Sequence, residues 1–133
     1  MKNKLGTLLV SVGLGLSLAS GTVMAQERVF FGIATGGTGG TYYPLGGMLA
    51  QVISNNSDLG DKKISATAET GNASVSNATL LGRGAIESAF VAADVLDAAY
   101  NGKNQFDGKA IKNLRALGAL YPETVQLVSQ PGI

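Results

Sequence analysis

Four glycines fall within seven residues at 35–41 (TGGTGGT), and the segments on either side have different periodicities. Before this turn, residues 28–34 (RVFFGIA) are rich in Val, Phe and Ile, which is typical of a buried strand. After it, apolar side chains recur at the spacing of one helix face, namely at Leu45, Met48, Leu49, Val52 and Ile53. Pro44 suits the first turn of that helix, where its missing N–H costs nothing. This order of strand, tight turn and amphipathic helix is the first unit of an α/β fold.

The alternation of strand and helix continues along the chain. The further elements predicted are strands at 63–69, 87–92, 114–120 and 125–129 and helices at 74–82 and 94–100. We expect Ser74 or Asn72 to cap the second helix and Asp94 to cap the third, because their side-chain oxygens accept free helix N–H groups. Residues 121–124 (YPET) are interpreted as a surface turn between the last two strands. The pattern predicts an α/β domain with a mostly parallel sheet flanked by helices.

Residues 1–25 have the organisation of a secretory signal peptide. Two lysines precede the uncharged apolar stretch at 5–18, and Val23-Met24-Ala25 places small or apolar residues before the expected cleavage site. An N-terminal membrane anchor is the alternative interpretation. Cleavage leaves a mature chain at 26–133, with 108 residues and a net charge of −1, which we expect to be periplasmic.

The composition excludes several classes of function. The sequence contains no histidine and no cysteine, which removes histidine general bases, cysteine nucleophiles, disulfides and imidazole or thiolate metal ligands. Only 14% of the residues are charged, the net charge is +1, and no basic stripe marks a nucleic-acid surface. No nucleophile has an evident base beside it. We therefore expect a protein that is not an enzyme, has no metal or cofactor and does not bind nucleic acid. The alternatives are a small exported enzyme and an interaction module without a ligand, in which the Gly-rich turn is structural.

The Gly-rich turn favours a site for an anion. We expect its glycines to adopt positive φ and let backbone N–H groups converge. The helix that follows adds free N–H donors and the positive end of its dipole. Ligands of open α/β sheets bind beyond the carboxyl ends of the strands, where this turn lies, and Thr38, Thr41 and Tyr42 add hydroxyl groups there. The P-loop and dinucleotide patterns are not met, and a tight structural turn without a ligand is the alternative.

Two later turns end at the same edge of the predicted sheet. Thr70, Gly71, Ser74 and Asn77 open the second helix, and Asp94 opens the third. Because successive βα turns of a parallel sheet share one edge, we expect these residues to face the same crevice as the Gly-rich turn. Ordinary helix capping is the alternative for them.

Four stretches of the mature chain carry a shared pattern. They are TGGTGGTYYPLGGMLAQVIS (35–54), SATAETGNASVSNATLL (65–81), ESAFVAADVLDAAYNG (87–102) and LRALGALYPETVQLV (114–128). In this order and spacing, the chain resembles the TAXI family, the solute-binding proteins of tripartite ATP-independent periplasmic (TRAP) transporters. Two positions depart from the family pattern, since Ala92 stands where a polar residue is common and Ala73 is an additional residue in its loop.

The resemblance implies a two-lobed periplasmic binding protein, with residues 26–133 as part of the first lobe and the chain stopping before the usual continuation. It implies capture of a small organic anion or amino acid, such as glutamate or a dicarboxylate, for delivery to membrane-embedded TRAP permease subunits. The ligand-binding residues that it implies are Gly37, Thr38, Gly39, Thr41, Tyr42, Ser74, Asn77 and Asp94. Amides of the first turn are expected to bind a carboxylate, and Asp94 either binds a ligand ammonium group or caps its helix.

Overall fold

Strands and helices alternate along the chain. The structure is a computed structural model that describes residues 27–56, 58–59 and 62–132, and the predicted signal peptide lies outside these residues. The elements are β1 (Glu27–Ala34), α1 (Tyr42–Asn56), β2 (Asp58–Leu59), β3 (Lys62–Glu69), α2 (Ser74–Gly82), β4 (Ser88–Ala89), α3 (Ala93–Asn101) and a 3₁₀ turn (Asn104–Phe106). No helix within the described ranges is long and apolar enough to cross a membrane.

The strands form one sheet in the order β2–β3–β1–β4. The inner strand β1 pairs in parallel with β3, from Glu27 opposite Lys62 to Ala34 opposite Glu69. It also pairs in parallel with β4, through Ile33 and Ala34. The short β2, which the sequence pattern does not predict, pairs antiparallel with β3. The expected α/β class with a mostly parallel sheet is confirmed, and the architecture is consistent with part of a periplasmic-binding-protein-like lobe.

Helix α1 packs on the sheet, mainly over β3, through Leu45, Leu49 and Ile53 of the predicted apolar stripe. The prediction is wrong for Met48 and Val52, which are 55% and 57% exposed. Buried Ile33, Ala50 and Phe90 form the core between helix and sheet, and Leu45 and Leu49 pack against it. A second buried cluster lies around α2 and α3 and consists of Ala78, Ala98, Ala99, Phe106 and Leu114. Alanines dominate this second cluster, so its stability depends on close approach of the two helix backbones.

Gly46 and Gly102 are among the glycines that packing or the backbone requires. A Cβ on Gly46 would lie 2.5 Å from Cγ2 of Thr35, so α1 can approach the end of β1 only with glycine at this position. Gly102 follows α3 with a φ of 68°, a left-handed conformation, and donates its N–H to the carbonyl of Ala99. Both positions are explained by the fold itself.

The two strands predicted at 114–120 and 125–129 are wrong. After buried Leu114 the chain is irregular, and it pairs with no strand of the described sheet. Its apolar side chains are in solvent, with Val125 94% and Leu127 98% exposed. Aliphatic and β-branched residues form strands where a neighbouring strand and a core complete their contacts, and the described residues provide neither here. The strand predicted at 87–92 is confirmed only at Ser88–Ala89.

The predicted helix caps are also wrong. Neither Ser74 nor Asn72 caps α2, which begins after Ala73 without a side-chain cap. Helix α3 begins one residue before Asp94, so that carboxylate lies within the first turn and Ala92 holds the cap position. The hydroxyl of Ser74 instead accepts a hydrogen bond from the N–H of Ala92. The parallel topology places the starts of α2 and α3 side by side, and this contact between turns replaces local capping.

Candidate functional site

Three turns meet where the parallel strands end, a region called here the carboxyl edge. The carbonyl of Gly36 accepts the N–H of Gly71 at 3.3 Å, which joins the turn after β1 to the turn after β3. The carbonyl of Ala34 accepts the N–H of Phe90 at 2.9 Å, which joins β1 to the segment before α3. Helices α1, α2 and α3 all begin here, so the positive ends of three helix dipoles lie at the same edge.

Two buried polar residues, Thr35 and Asn77, form the floor of the carboxyl edge. Both are 0% exposed. Thr35 donates its N–H and its hydroxyl to the carbonyl of Glu69, at 2.9 and 2.7 Å. The side-chain amide of Asn77 donates to the carbonyls of Thr35 and Phe90, both at 2.8 Å. The floor therefore fastens the end of β1 to β3, to α2 and to the segment after β4.

One atom of the floor has no partner. Oδ1 of Asn77 is buried and accepts no hydrogen bond from the described residues. It lies against Gly71, 3.2 Å from where a Cβ on that glycine would stand. Because an amide oxygen is an acceptor, this atom is complementary to a hydrogen-bond donor.

Above the floor, residues 37–41 form an exposed turn. Gly40 donates its N–H to the carbonyl of Gly37 at 2.9 Å, and no other amide of these five residues donates to another described group. The expectation of positive φ is wrong, because none of the glycines at 36, 37, 39 and 40 lies in the left-handed region. The exposed turn thus uses ordinary backbone conformations and leaves most of its N–H groups free.

The glycines at 37 and 39 are not required by the fold. A Cβ at either position would meet no atom within 4 Å. Gly46 differs, since a Cβ there would collide with Thr35. Neither positive φ nor packing requires glycine at 37 or 39, and the absence of a side chain there leaves the main-chain amides uncovered.

Tyr42 connects the exposed turn to the other two turns. Its half-buried ring packs on Phe90 with the ring centroids 5.3 Å apart. Its hydroxyl lies 3.5 Å from Oγ of Ser74, and that Oγ accepts the N–H of Ala92 at 2.9 Å. The structure therefore brings together two of the predicted site residues, Tyr42 and Ser74, from turns that are far apart in sequence.

Glu123 joins this group, although the sequence pattern assigns it only to a surface turn. Its Oε2 accepts the hydroxyl of Tyr42 at 3.2 Å, and its Oε1 accepts the hydroxyl of Tyr121 at 3.1 Å. The contact with Tyr42 spans 81 positions, so no local pattern predicts it. The one available signal is the presence of LYPE within the last of the four quoted stretches.

The carboxylates near Tyr42 affect the acidity of two phenols. Burial raises the pKa of Tyr42, the hydrogen bond with Ser74 opposes that rise, and the negative charges of Glu123 and Asp94 reinforce it. Burial first, and then the hydrogen bond and charge of Glu123, raise the pKa of Tyr121 to about 12. Both phenols are therefore protonated at neutral pH and act as donors to Glu123.

The part of the chain that matches a known protein family includes the whole of this site. A family model described as the NMT1-like family matches residues 33–132, a range that includes the exposed turn, the floor and Glu123. The chain belongs to the NMT1-like family. This family is periplasmic binding protein-like, and membership indicates a solute-binding role, with a small ligand and a transporter as partners in general.

The predicted ligand-binding residues of this NMT1-like chain occupy different layers of the carboxyl edge. Those on the exposed turn are Gly37, Thr38, Gly39 and Thr41. Tyr42 and Ser74 are half-buried and lie beside each other. Asp94 is exposed and acts on Tyr42 only through its charge, whereas Asn77 is fully buried and holds the turns together. Direct contact of these residues with a ligand stays a prediction.

Two open depressions of the NMT1-like chain run along α1 and α3 from the first turns of these helices. One, of about 420 Å³, lies between α1 and β3 beside Gln51 and Thr67. The other, of about 450 Å³, lies between α3 and the chain after Leu114. Neither includes the exposed turn, which is open to solvent. Across the described residues, no group of three Asp or Glu side chains is placed to hold a metal ion.

Proposed function

We propose that this protein captures a small carboxylate-bearing solute, an amino acid or a dicarboxylate, on the exposed turn. The free N–H groups of residues 37–41 bind the carboxylate, and the hydroxyls of Thr41 and Tyr42 orient it. A carboxylate at this position is also stabilised by the unsatisfied N–H groups and the dipole of α1, which begins at Tyr42.

The observation that carries this proposal is the pair of glycines that the fold does not need. Gly37 and Gly39 have open space around them and ordinary φ values. Any side chain at these positions would stand between a ligand and the main-chain amides. Glycine there keeps the N–H groups accessible, which is what binding of an anion by backbone amides requires.

We propose that the solute is delivered to a TRAP permease and that the protein is periplasmic. The resemblance to the TAXI family supports this role, and the quoted stretches fall on the site, since the first forms the exposed turn and the last contains Glu123. The carboxyl edge is a solvent-open surface, so we propose that it is one wall of a cleft that a second lobe closes over the solute.

The site supports binding without catalysis. The hydroxyl of Ser74, which lies 3.5 Å from that of Tyr42, accepts a main-chain N–H. The sequence contains no histidine to activate it, and the carboxylate of Glu123 bonds to two phenols instead. No step of this binding uses a cofactor.

Calorimetric titration of the intact gene product tests the proposal, with L-glutamate, 2-oxoglutarate, succinate and L-leucine as probes. We expect saturable binding of at least one probe without turnover. Gly39→Val is expected to weaken that binding at least about tenfold at unchanged stability, because the new side chain covers the amides. The matched control is Gly118→Val, a position with equally open surroundings outside the site, which is expected to keep the affinity.

Three results would contradict the proposal. They are absence of saturable binding with every probe, turnover of a probe, and wild-type affinity in Gly39→Val. Export is tested separately by N-terminal sequencing of the protein recovered from the periplasm. We expect the mature chain to begin at Gln26, and a periplasmic protein that retains residues 1–25 would contradict the proposed cleavage.

A further inference from the structure

We propose that the carboxylate of Glu123 binds the ammonium group of the solute, so that the site selects amino acids over carboxylic acids that lack an amino group. This inference rests on the proposed function, because it takes the exposed turn as the site of the solute's carboxylate. It narrows the solute class and assigns a specificity role to a residue outside the predicted site.

Glu123 is held in a defined orientation by two phenols. Tyr42 donates to its Oε2 at 3.2 Å and Tyr121 donates to its Oε1 at 3.1 Å. Each carboxylate oxygen accepts about two hydrogen bonds, so each keeps capacity for a further donor. The side chain is exposed and within reach of a solute. An ammonium group offers three donors together with the opposite charge.

No cation among the described residues forms an ion pair with Glu123. The two ion pairs in the described ranges, one between β1 and β3 and one at the end of α3, include neither Glu123 nor Asp94. Asp94 adds a second negative charge close enough to act on Tyr42. A solute with a second carboxylate at this corner would meet like charge, whereas an ammonium group would be attracted.

A second acceptor without a described donor lies in the floor of the carboxyl edge. Oδ1 of Asn77 is buried against Gly71 and has no donor among the described residues. It belongs to α2, whose first residue, Ser74, lies 3.5 Å from the Tyr42 hydroxyl that contacts Glu123. The carboxylate of Glu123 and Oδ1 of Asn77 are therefore two acceptors of the carboxyl edge that can each take a further donor.

The two charge-binding features are separated by one side chain. The main chain of Tyr42 continues the exposed turn, and its hydroxyl contacts Glu123. Free amides therefore lie at one end of this tyrosine and an oriented carboxylate at the other.

Matched pairs of probes that differ only in the α-ammonium group test this inference on the intact gene product. The pairs are L-glutamate with glutarate and L-leucine with 4-methylpentanoate. We expect the wild type to prefer the amino member of the pair that it binds by about tenfold or more, equivalent to about 1.4 kcal/mol. Glu123→Gln is expected to remove most of that preference, and Glu123→Asp to retain part of it.

The control is Glu27→Gln, the same change of charge at the opposite end of β1, which is expected to leave the preference intact. Equal binding of both members by the wild type would overturn the inference. So would a Glu123→Gln variant that keeps the preference, or one that weakens both members equally, as loss of a merely structural contact would. Binding of only the acids without an amino group refutes this inference alone, whereas absence of binding by all four refutes the proposed function as well.

Discussion

The floor and the exposed turn are neighbours at the carboxyl edge, yet they use their polar groups in opposite ways. Thr35 and Asn77 are fully buried, and their donors bond to the ends of the strands. Two residues beyond Thr35, the exposed turn holds a single internal hydrogen bond between main-chain groups. The difference indicates that buried polar groups fix the geometry while exposed amides stay available for a solute. Substitutions in the floor should therefore change stability, and those in the exposed turn should change affinity.

The largest effect is expected from removing the amide of the floor. Asn77→Ala leaves the buried carbonyls of Thr35 and Phe90 without their donor, at about 1–3 kcal/mol for each group, so the free energy of unfolding should fall by about 3 kcal/mol. The exposed control Asn101→Ala should change it by less than about 0.5 kcal/mol. Urea unfolding measures both variants. Similar losses in the two would show that the floor does not brace the strands.

A change of intermediate size in the free energy of unfolding is expected from substitutions at two adjacent glycines of α1. Gly46→Ala should lower the free energy of unfolding by about 2 kcal/mol, because the added methyl group collides with Thr35. Gly47→Ala should raise it by up to about 1 kcal/mol, since its surroundings are open and alanine favours the helix. Urea unfolding again separates the two. If both variants are stabilised, α1 does not press on the floor as described.

The smallest effect is expected at Ala73, the residue that precedes α2 at the carboxyl edge. Its φ of 57° and ψ of −154° fall in a region that glycine occupies almost alone. Ala73→Gly should therefore raise the free energy of unfolding by about 1 kcal/mol. Ala116→Gly, at an exposed residue without positive φ, should lower it slightly through added chain entropy. Thermal unfolding distinguishes the signs, and destabilisation by Ala73→Gly would mean that the backbone is unstrained there.

The elements with strong local periodicity could be predicted from the sequence. The apolar stripe of α1 and the Val, Phe and Ile content of β1 mark those elements without reference to the rest of the chain. The final two predicted strands failed because their residues have strand propensity but find no neighbouring strand in the described chain. Residues such as Val125 show that propensity without a partner does not form a strand.

The site could be predicted only as far as topology determines it. The shared edge of parallel strands predicts that Tyr42 and Ser74 meet, and they do. Burial of Asn77 could not be predicted, because an asparagine in the first turns of a helix is normally solvated or a cap. The contact of Glu123 depends on the path of an irregular segment, which no periodicity encodes.

The most direct measurement is a ¹⁵N–¹H NMR titration of the protein with L-glutamate and, in parallel, with L-leucine. If the exposed turn binds the carboxylate, the backbone amides of Gly37, Thr38, Gly39 and Thr41 will show the largest saturable shifts, and the amide of Gly118 will stay in place. A titration in which a solute binds and the largest shifts lie elsewhere, or in which neither solute moves these four amides, would contradict the assignment of the exposed turn as the solute site.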